Sequence, residues 1–107
     1  MAKTLLLVST TPASADVEAE YHRWYEEVHV PELKAAIPSI TVVNRYRLHP
    51  APGDEAAPPR YLAVYELDED DAGAATAALF AALPGTTPSD TIDLTGRPPT
   101  MEFYSHL

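Results

Sequence analysis

Cysteine is absent from the 107 residues. That removes disulfides, thiolate metal sites and thiol nucleophiles, and it fits a reducing cytoplasm as the expected location. Glycine is scarce, with four residues. None falls in a GxGxxG or Walker-type loop, so nucleotide cofactors have no visible cradle. Basic residues number 7 against 16 acidic ones, a formal net charge of -9. Nucleic acid and anionic membranes both require clustered Lys and Arg, so neither is expected as a partner. No run approaches the ~18 apolar residues of a membrane span, and TLLLV near the start is too short for the apolar region of a signal peptide. No HxH, HExxH or carboxylate–histidine cluster has metal spacing. His22 and His29 lie two helical turns apart, too far for one ion without other ligands. No serine stands in a GxSxG context. Acid–base chemistry by ordinary side chains remains, with no metal and no cofactor expected.

What is present reads as an ordinary globular chain, with 46% hydrophobic and 21% charged residues. The length suits one domain, residues 1–107, with a single core. Lys3 to Thr10 is a short apolar run ending at Thr-Thr-Pro, a buried strand by length and boundary. Ser14 or Asp16 is placed to cap a helix running on from Val17. Pro31 is expected to break that helix, because a residue before proline is pushed out of the α region. A short helical piece, PELKAAI, then stops at Pro38. Ile40 to His49 and Arg60 to Leu67 are strands joined by the loop PAPGDEAAPP. Asp68 to Asp71 start a second, alanine-rich helix from Ala72 to Leu83. A loop from Pro84 to Pro99 follows, long enough to be expected as a pocket cover or an arm towards a partner. TMEFYSHL closes the chain as a strand.

The order β-α-β-β-α-β is the ferredoxin-like split arrangement, an α+β fold with a four-stranded antiparallel sheet. Alternation groups Ile40, Val42, Tyr46 and Leu48 on one side of their strand, and Tyr61, Ala63, Tyr65 and Leu67 on one side of the next. Val43, Leu62 and Val64 stand on the complementary sides. Apolar residues therefore occupy both faces, and a homodimer burying sheet against sheet covers the face that helices leave open.

The segment from Tyr21 to Leu33, YHRWYEEVHVPEL, carries most of the chemistry. At about 100° per residue, Val17, Tyr21, Trp24 and Val28 fall in a wedge of about 60°, with Tyr25 and His29 further round on the rim between core and solvent. An imidazole there suits proton transfer at neutral pH, since its ordinary pKa is near 6.5. His29 and Tyr25 are the candidate catalytic pair, with Glu32 a possible orienting group. A helix-terminal histidine also serves as a dipole partner or cap, and that alternative stays open. Tyr21 and Trp24 are core aromatics that would shape a neighbouring substrate pocket. Asn44, Tyr46, Tyr65 and Tyr104 are strand residues whose polar tips could reach it, or that serve structure alone. Arg45 and Arg47 share a strand face and could meet a substrate carboxylate or the acids of a partner subunit. His22, between Glu18 and Glu26, reads as surface pairing.

The W-Y-x-x-x-H-x-P-E-L spacing from Trp24 to Leu33, followed by Ile37-Pro38 and the strand pair RYRL and RYLAVYEL, resembles the EthD-type branch of the dimeric α+β barrel superfamily. Relatives commonly have glycine after that second proline, where Ser39 stands here. The resemblance covers nearly the whole chain in element order. It implies a dimeric α+β barrel built from two copies, and a small hydrophobic or aromatic substrate. Activities in that superfamily include cofactor-independent cyclases, dehydratases, isomerases and monooxygenases, many acting on aromatic or polyketide-like intermediates of secondary metabolism. Three readings stay open: a cyclase, dehydratase or isomerase; a cofactor-free monooxygenase with Asn44, Trp24 and His29 around a phenol; and a non-catalytic binding or chaperoning subunit.

Overall fold

A computed structural model of the chain describes residues 3–107. The elements are β1 (Thr4–Thr10), α1 (Glu18–Trp24), a π-helical turn (Tyr25–His29), α2 (Val30–Ala36), β2 (Ile40–Arg47), β3 (Tyr61–Leu67), α3 (Ala72–Ala82) and β4 (Thr100–Ser105). The strands form one sheet in the order β2-β3-β1-β4, and every pairing is antiparallel. This is the ferredoxin-like α+β arrangement that the element order predicts.

Leu6 stands opposite Tyr65 on one neighbour and Phe103 on the other. Residues opposite one another share a sheet face, so these three point the same way, into the layer beneath the helices. Tyr21, Tyr25 and Leu33 from the first helical rod and Ala75 and Leu79 from α3 close that layer. The other face carries Leu5, Leu7, Leu62 and Val64, all half-buried, with Val42, Tyr46 and Tyr104 exposed. Among the described residues no helix is long and apolar enough to cross a membrane.

The structure departs from the sequence expectation at several points. Pro31 does not break the helix: α1, the π-helical turn and α2 run on without interruption, and Val30 keeps helical angles of φ -60° and ψ -47°. The adjustment lies just upstream, where the Val30 N–H donates to the Tyr25 carbonyl, five residues back. Proline offers no N–H and its ring crowds the carbonyl four residues earlier, so a widened turn accommodates it where a regular one would clash. Neither Ser14 nor Asp16 caps the helix through its side chain; a short 3-10 turn at Ala15–Val17 leads in instead. Asp71 does cap α3, accepting from the Gly73 N–H at 2.8 Å. Ile40 belongs to the helix-covered face, apart from Val42 and Tyr46, because a bulge between Ile40 and Val42 inserts one residue and inverts the alternation.

Candidate active site

The widened turn decides which side chains the helix delivers to the sheet. Residues 21, 25, 29 and 33 recur every fourth position, and in a regular helix they would drift by about 120° over that span. The extra residue taken up in the π turn removes much of that drift, so Tyr21, Tyr25 and Leu33 are all buried, with His29 half-buried on the same line. Tyr25 is thus a core residue, 2% exposed, where the regular helix places it on the rim.

His29 is held between two aromatic rings. The Trp24 indole stacks on it at 4.4 Å and 17°, and the Tyr25 ring meets it edge-on at 5.3 Å. Its Nδ1 is buried and has no hydrogen-bond partner, and the Tyr65 hydroxyl is in the same condition. Burial lowers the His29 pKa below its ordinary 6.5, with the Glu32 charge opposing weakly. Burial likewise raises the Tyr25 phenol to about 12, and it raises the Tyr65 phenol too. At neutral pH the site therefore holds an uncharged imidazole and protonated phenols.

Tyr21 and Tyr25 direct their hydroxyls to Thr10 at the end of β1, the Tyr25 contact being 3.4 Å. The Arg45 guanidinium lies 4.6 Å from the Tyr25 ring centre and also near Tyr21 and Tyr61. Its side chain is only 14% exposed. Arg45 Nη2 donates to His22 Nδ1 at 2.9 Å, and Nη1 reaches Glu26 at 3.4 Å. Because arginine can only donate, His22 accepts at Nδ1 and carries its proton on Nε2, which faces Glu18 at 3.3 Å. Tyr61 donates to the same Glu18 carboxylate at 2.5 Å, and this bond holds the Glu18 pKa below the usual carboxylate value. His22 is therefore part of a network joining helix to sheet, more than the surface pairing its neighbours imply.

The loop from Pro84 to Pro99 lies against its own helices. Glu32 accepts from the Thr87 N–H and Oγ1, each at 2.8 Å, and Trp24 Nε1 donates to the Thr87 carbonyl at 3.1 Å. Further along, Ile92 pairs with Pro12. Thr87 thus ties the strap to Trp24 and Glu32, which precede and follow His29 on the rod. Glu32 consequently anchors the strap and is not hydrogen-bonded to the imidazole. Five surface cavities of about 260–520 Å³ have other linings, and none of them includes His29, Tyr25, Tyr21, Trp24 or Tyr65.

Of the residues singled out from the sequence, the helix–sheet layer brings together His29, Tyr25, Trp24, Tyr21 and Tyr65. It does not bring Asn44, Tyr46 or Tyr104. These stand opposite Val64, Leu62 and Leu5, on the face away from the helices, and the last two are 54% and 49% exposed. The trio of Asn44, Trp24 and His29 needed for the monooxygenase reading is therefore divided between the two faces.

A structure search aligns the chain with the crystal structure of an ethyl tert-butyl ether D (EthD) family protein from Bacillus halodurans. The two share 15% identity with a TM-score of 0.54, over 97% of this chain and 99% of the other. The fold is that of an EthD family protein. Family models and curated proteins give no match to the sequence. At this identity the EthD-like likeness concerns the fold and leaves the chemistry to be argued from the site.

Sequence reasoning missed Thr10 and Tyr61, and undervalued Arg45. Two of the three had a legible signal: Thr10 and Tyr61 share the alternation of Leu6 and Tyr65, which puts them on the helix-covered face. Nothing in the sequence tied Arg45 to His22.

Proposed function

We propose that the protein is a cofactor-independent cyclase, dehydratase or isomerase, acting on a small aromatic or polyketide-like ketone, with His29 as its acid–base group. The observation that carries this is that two polar atoms buried in the helix–sheet layer, His29 Nδ1 and the Tyr65 hydroxyl, have no hydrogen-bond partner, the first of them on a ring stacked against Trp24. Buried polar groups in proteins are nearly always paired, and an exception of this kind fits a group reserved for a ligand. Desolvation keeps His29 neutral near pH 7, ready to accept a proton.

In this mechanism, His29 Nδ1 takes a proton from an activated C–H of the substrate, and the bonding pair moves onto the carbonyl oxygen as an enolate. The Tyr65 hydroxyl, kept protonated by burial, donates to that oxygen. Tyr25 holds the imidazole edge-on, and Arg45 adds a positive charge near the phenols. The imidazolium then returns its proton, to another carbon in an isomerisation or to a departing hydroxyl in a dehydration. Trp24 and Tyr21 shape the wall, and the 84–99 strap opens to admit substrate and closes to exclude water.

The working unit in this proposal is a homodimer of single-domain subunits. Leu5, Leu7, Leu62, Val64, Val42, Tyr46 and Tyr104 make the uncovered sheet face apolar, and a second copy covers it. The test is solvent-deuterium exchange into 2-tetralone, an enolisable aryl ketone, followed by NMR without added cofactor. Saturable exchange above the buffer rate is expected. Exchange at the buffer rate for this and related enolisable ketones overturns the acid–base reading.

A further inference from the structure

Trp24 is the chain's one tryptophan, and two contacts meet on its indole. The ring stacks on the His29 imidazole at 4.4 Å and 17°, and Nε1 donates to the Thr87 carbonyl of the 84–99 strap at 3.1 Å. In a regular helix residues five apart lie roughly 140° apart around the axis, too far round for two rings to stack. The π turn absorbs one residue between them, and Trp24, His29 and Glu32 then fall within about 60° of one another. The turn that accommodates Pro31 is therefore also what brings the indole onto the imidazole.

Thr87 is held at three atoms. Its N–H and Oγ1 donate to the two Glu32 oxygens, each at 2.8 Å, and its carbonyl accepts the indole N–H. The bonds to Glu32 keep that carboxyl below its usual pKa, so the anchor is ionised at neutral pH. A ring stacked on another and tethered at its edge cannot turn without breaking the tether. His29 Nδ1 has no hydrogen-bond partner, so the orientation of the imidazole rests on its ring contacts with Trp24 and Tyr25.

We propose that Trp24 is a positioning residue: the closed strap fixes the indole through Thr87, and the indole fixes the His29 imidazole in the plane from which Nδ1 meets the substrate. Opening of the strap frees the indole, so the base is complete only when the strap is closed. The effect on rate rests on the acid–base reading of His29, whereas the coupling of strap, indole and imidazole stands on the contacts alone. A catalytic group displaced by about 1 Å can lose ~10²-fold in rate, so a tether of this kind has kinetic weight.

The single indole N–H gives one signal in a proton–nitrogen correlation spectrum of the full chain, and that signal reads both contacts. Its exchange with solvent should be slower than in free tryptophan. Glu32→Ala, which loosens Thr87, should speed that exchange about tenfold or more, as loss of two hydrogen bonds to a charged group implies. The signal should also shift as His29 is protonated, and this shift should vanish in His29→Gln. Tyr25 and Glu32, the other ionisable groups beside the imidazole, titrate above and below that range. Trp24→Phe keeps an aromatic face and loses the donor and part of the cover. Its kcat for deuterium exchange into 2-tetralone should fall about tenfold or more. The pH midpoint of the rate should rise towards the ordinary imidazole value, because less burial opposes the charge; a residue that only shaped the wall would leave it in place. Indole exchange as fast as in free tryptophan or untouched by Glu32→Ala overturns the coupling, as does a signal indifferent to His29 protonation. So does a folded Trp24→Phe protein with full kcat and an unmoved midpoint. A wild type that exchanges no deuterium into 2-tetralone sinks the acid–base reading, and the indole signal then decides the coupling by itself.

Discussion

Tyr65→Phe should make this protein more stable and less active. The Tyr65 side chain is fully buried, and its hydroxyl has no hydrogen-bond partner. Leaving such a group unsatisfied costs about 1–3 kcal/mol in proteins, because its water is stripped and nothing replaces it. Phenylalanine keeps the ring and its packing against the core and removes only the oxygen. The space left by that atom returns part of the gain, so a net stabilisation of about 1 kcal/mol is expected. For a chain of 107 residues that corresponds to about 4 °C in melting temperature. Thermal melts should rise by that amount, and urea unfolding should shift its midpoint at an unchanged slope. Deuterium exchange into 2-tetralone should fall in the same variant, since the enolate loses its donor. A melting temperature lowered by a similar amount refutes the reasoning, because it shows the hydroxyl is bonded in the free protein.

Light scattering at micromolar concentration should give twice the monomer mass, and Val64→Glu, which buries a charge in the proposed sheet-to-sheet contact, should give the monomer; a wild-type monomer removes the dimer from the proposal. Burial holds the His29 pKa below 6.5, so protonation favours the unfolded chain. The stabilising contribution of neutral His29 is complete above about pH 6.5 and is lost as pH falls from there through the lower folded value. The melting temperature of wild type relative to His29→Gln should therefore fall between about pH 7.5 and pH 5.5, and a constant difference contradicts the buried imidazole. Glu32→Ala removes both of the strap's bonds to Glu32. It should speed proteolysis between residues 84 and 99 and raise the KM for 2-tetralone, and unchanged values of both make the strap a plain connector.

Most of the fold was legible because its signals are local. The β-branched and aromatic runs at Ile40–Arg47 and Tyr61–Leu67 and the capped, alanine-rich Ala72–Ala82 segment each announce their own structure. The π turn was not legible, because a proline's usual effect is to end a helix, and its accommodation depends on the tertiary contacts that keep Tyr25 and Leu33 buried. That one turn moved Tyr25 from rim to core and set the line on which His29 lies. The Thr41 bulge was equally hidden, and it inverted the face of Ile40. Within the candidate site, local periodicity identified the helix residues. Strand alternation tells which face Thr10 occupies, but which helix residue each strand residue meets, Arg45 with His22 and Thr10 with Tyr21, depends on contacts 23 and 11 residues apart in sequence that spacing does not reveal.

The proton shuttle at His29 is tested most directly by the rate of deuterium exchange into 2-tetralone in His29→Ala, measured with the melting temperature of the same sample. Loss of one general acid–base group should cost about 10²–10⁴ in rate while the protein stays folded. His22→Ala, two turns away, should keep a rate close to wild type. An undiminished rate in His29→Ala, or a loss that appears only with unfolding, contradicts the catalytic role and leaves His29 as a packing residue at the end of the π turn.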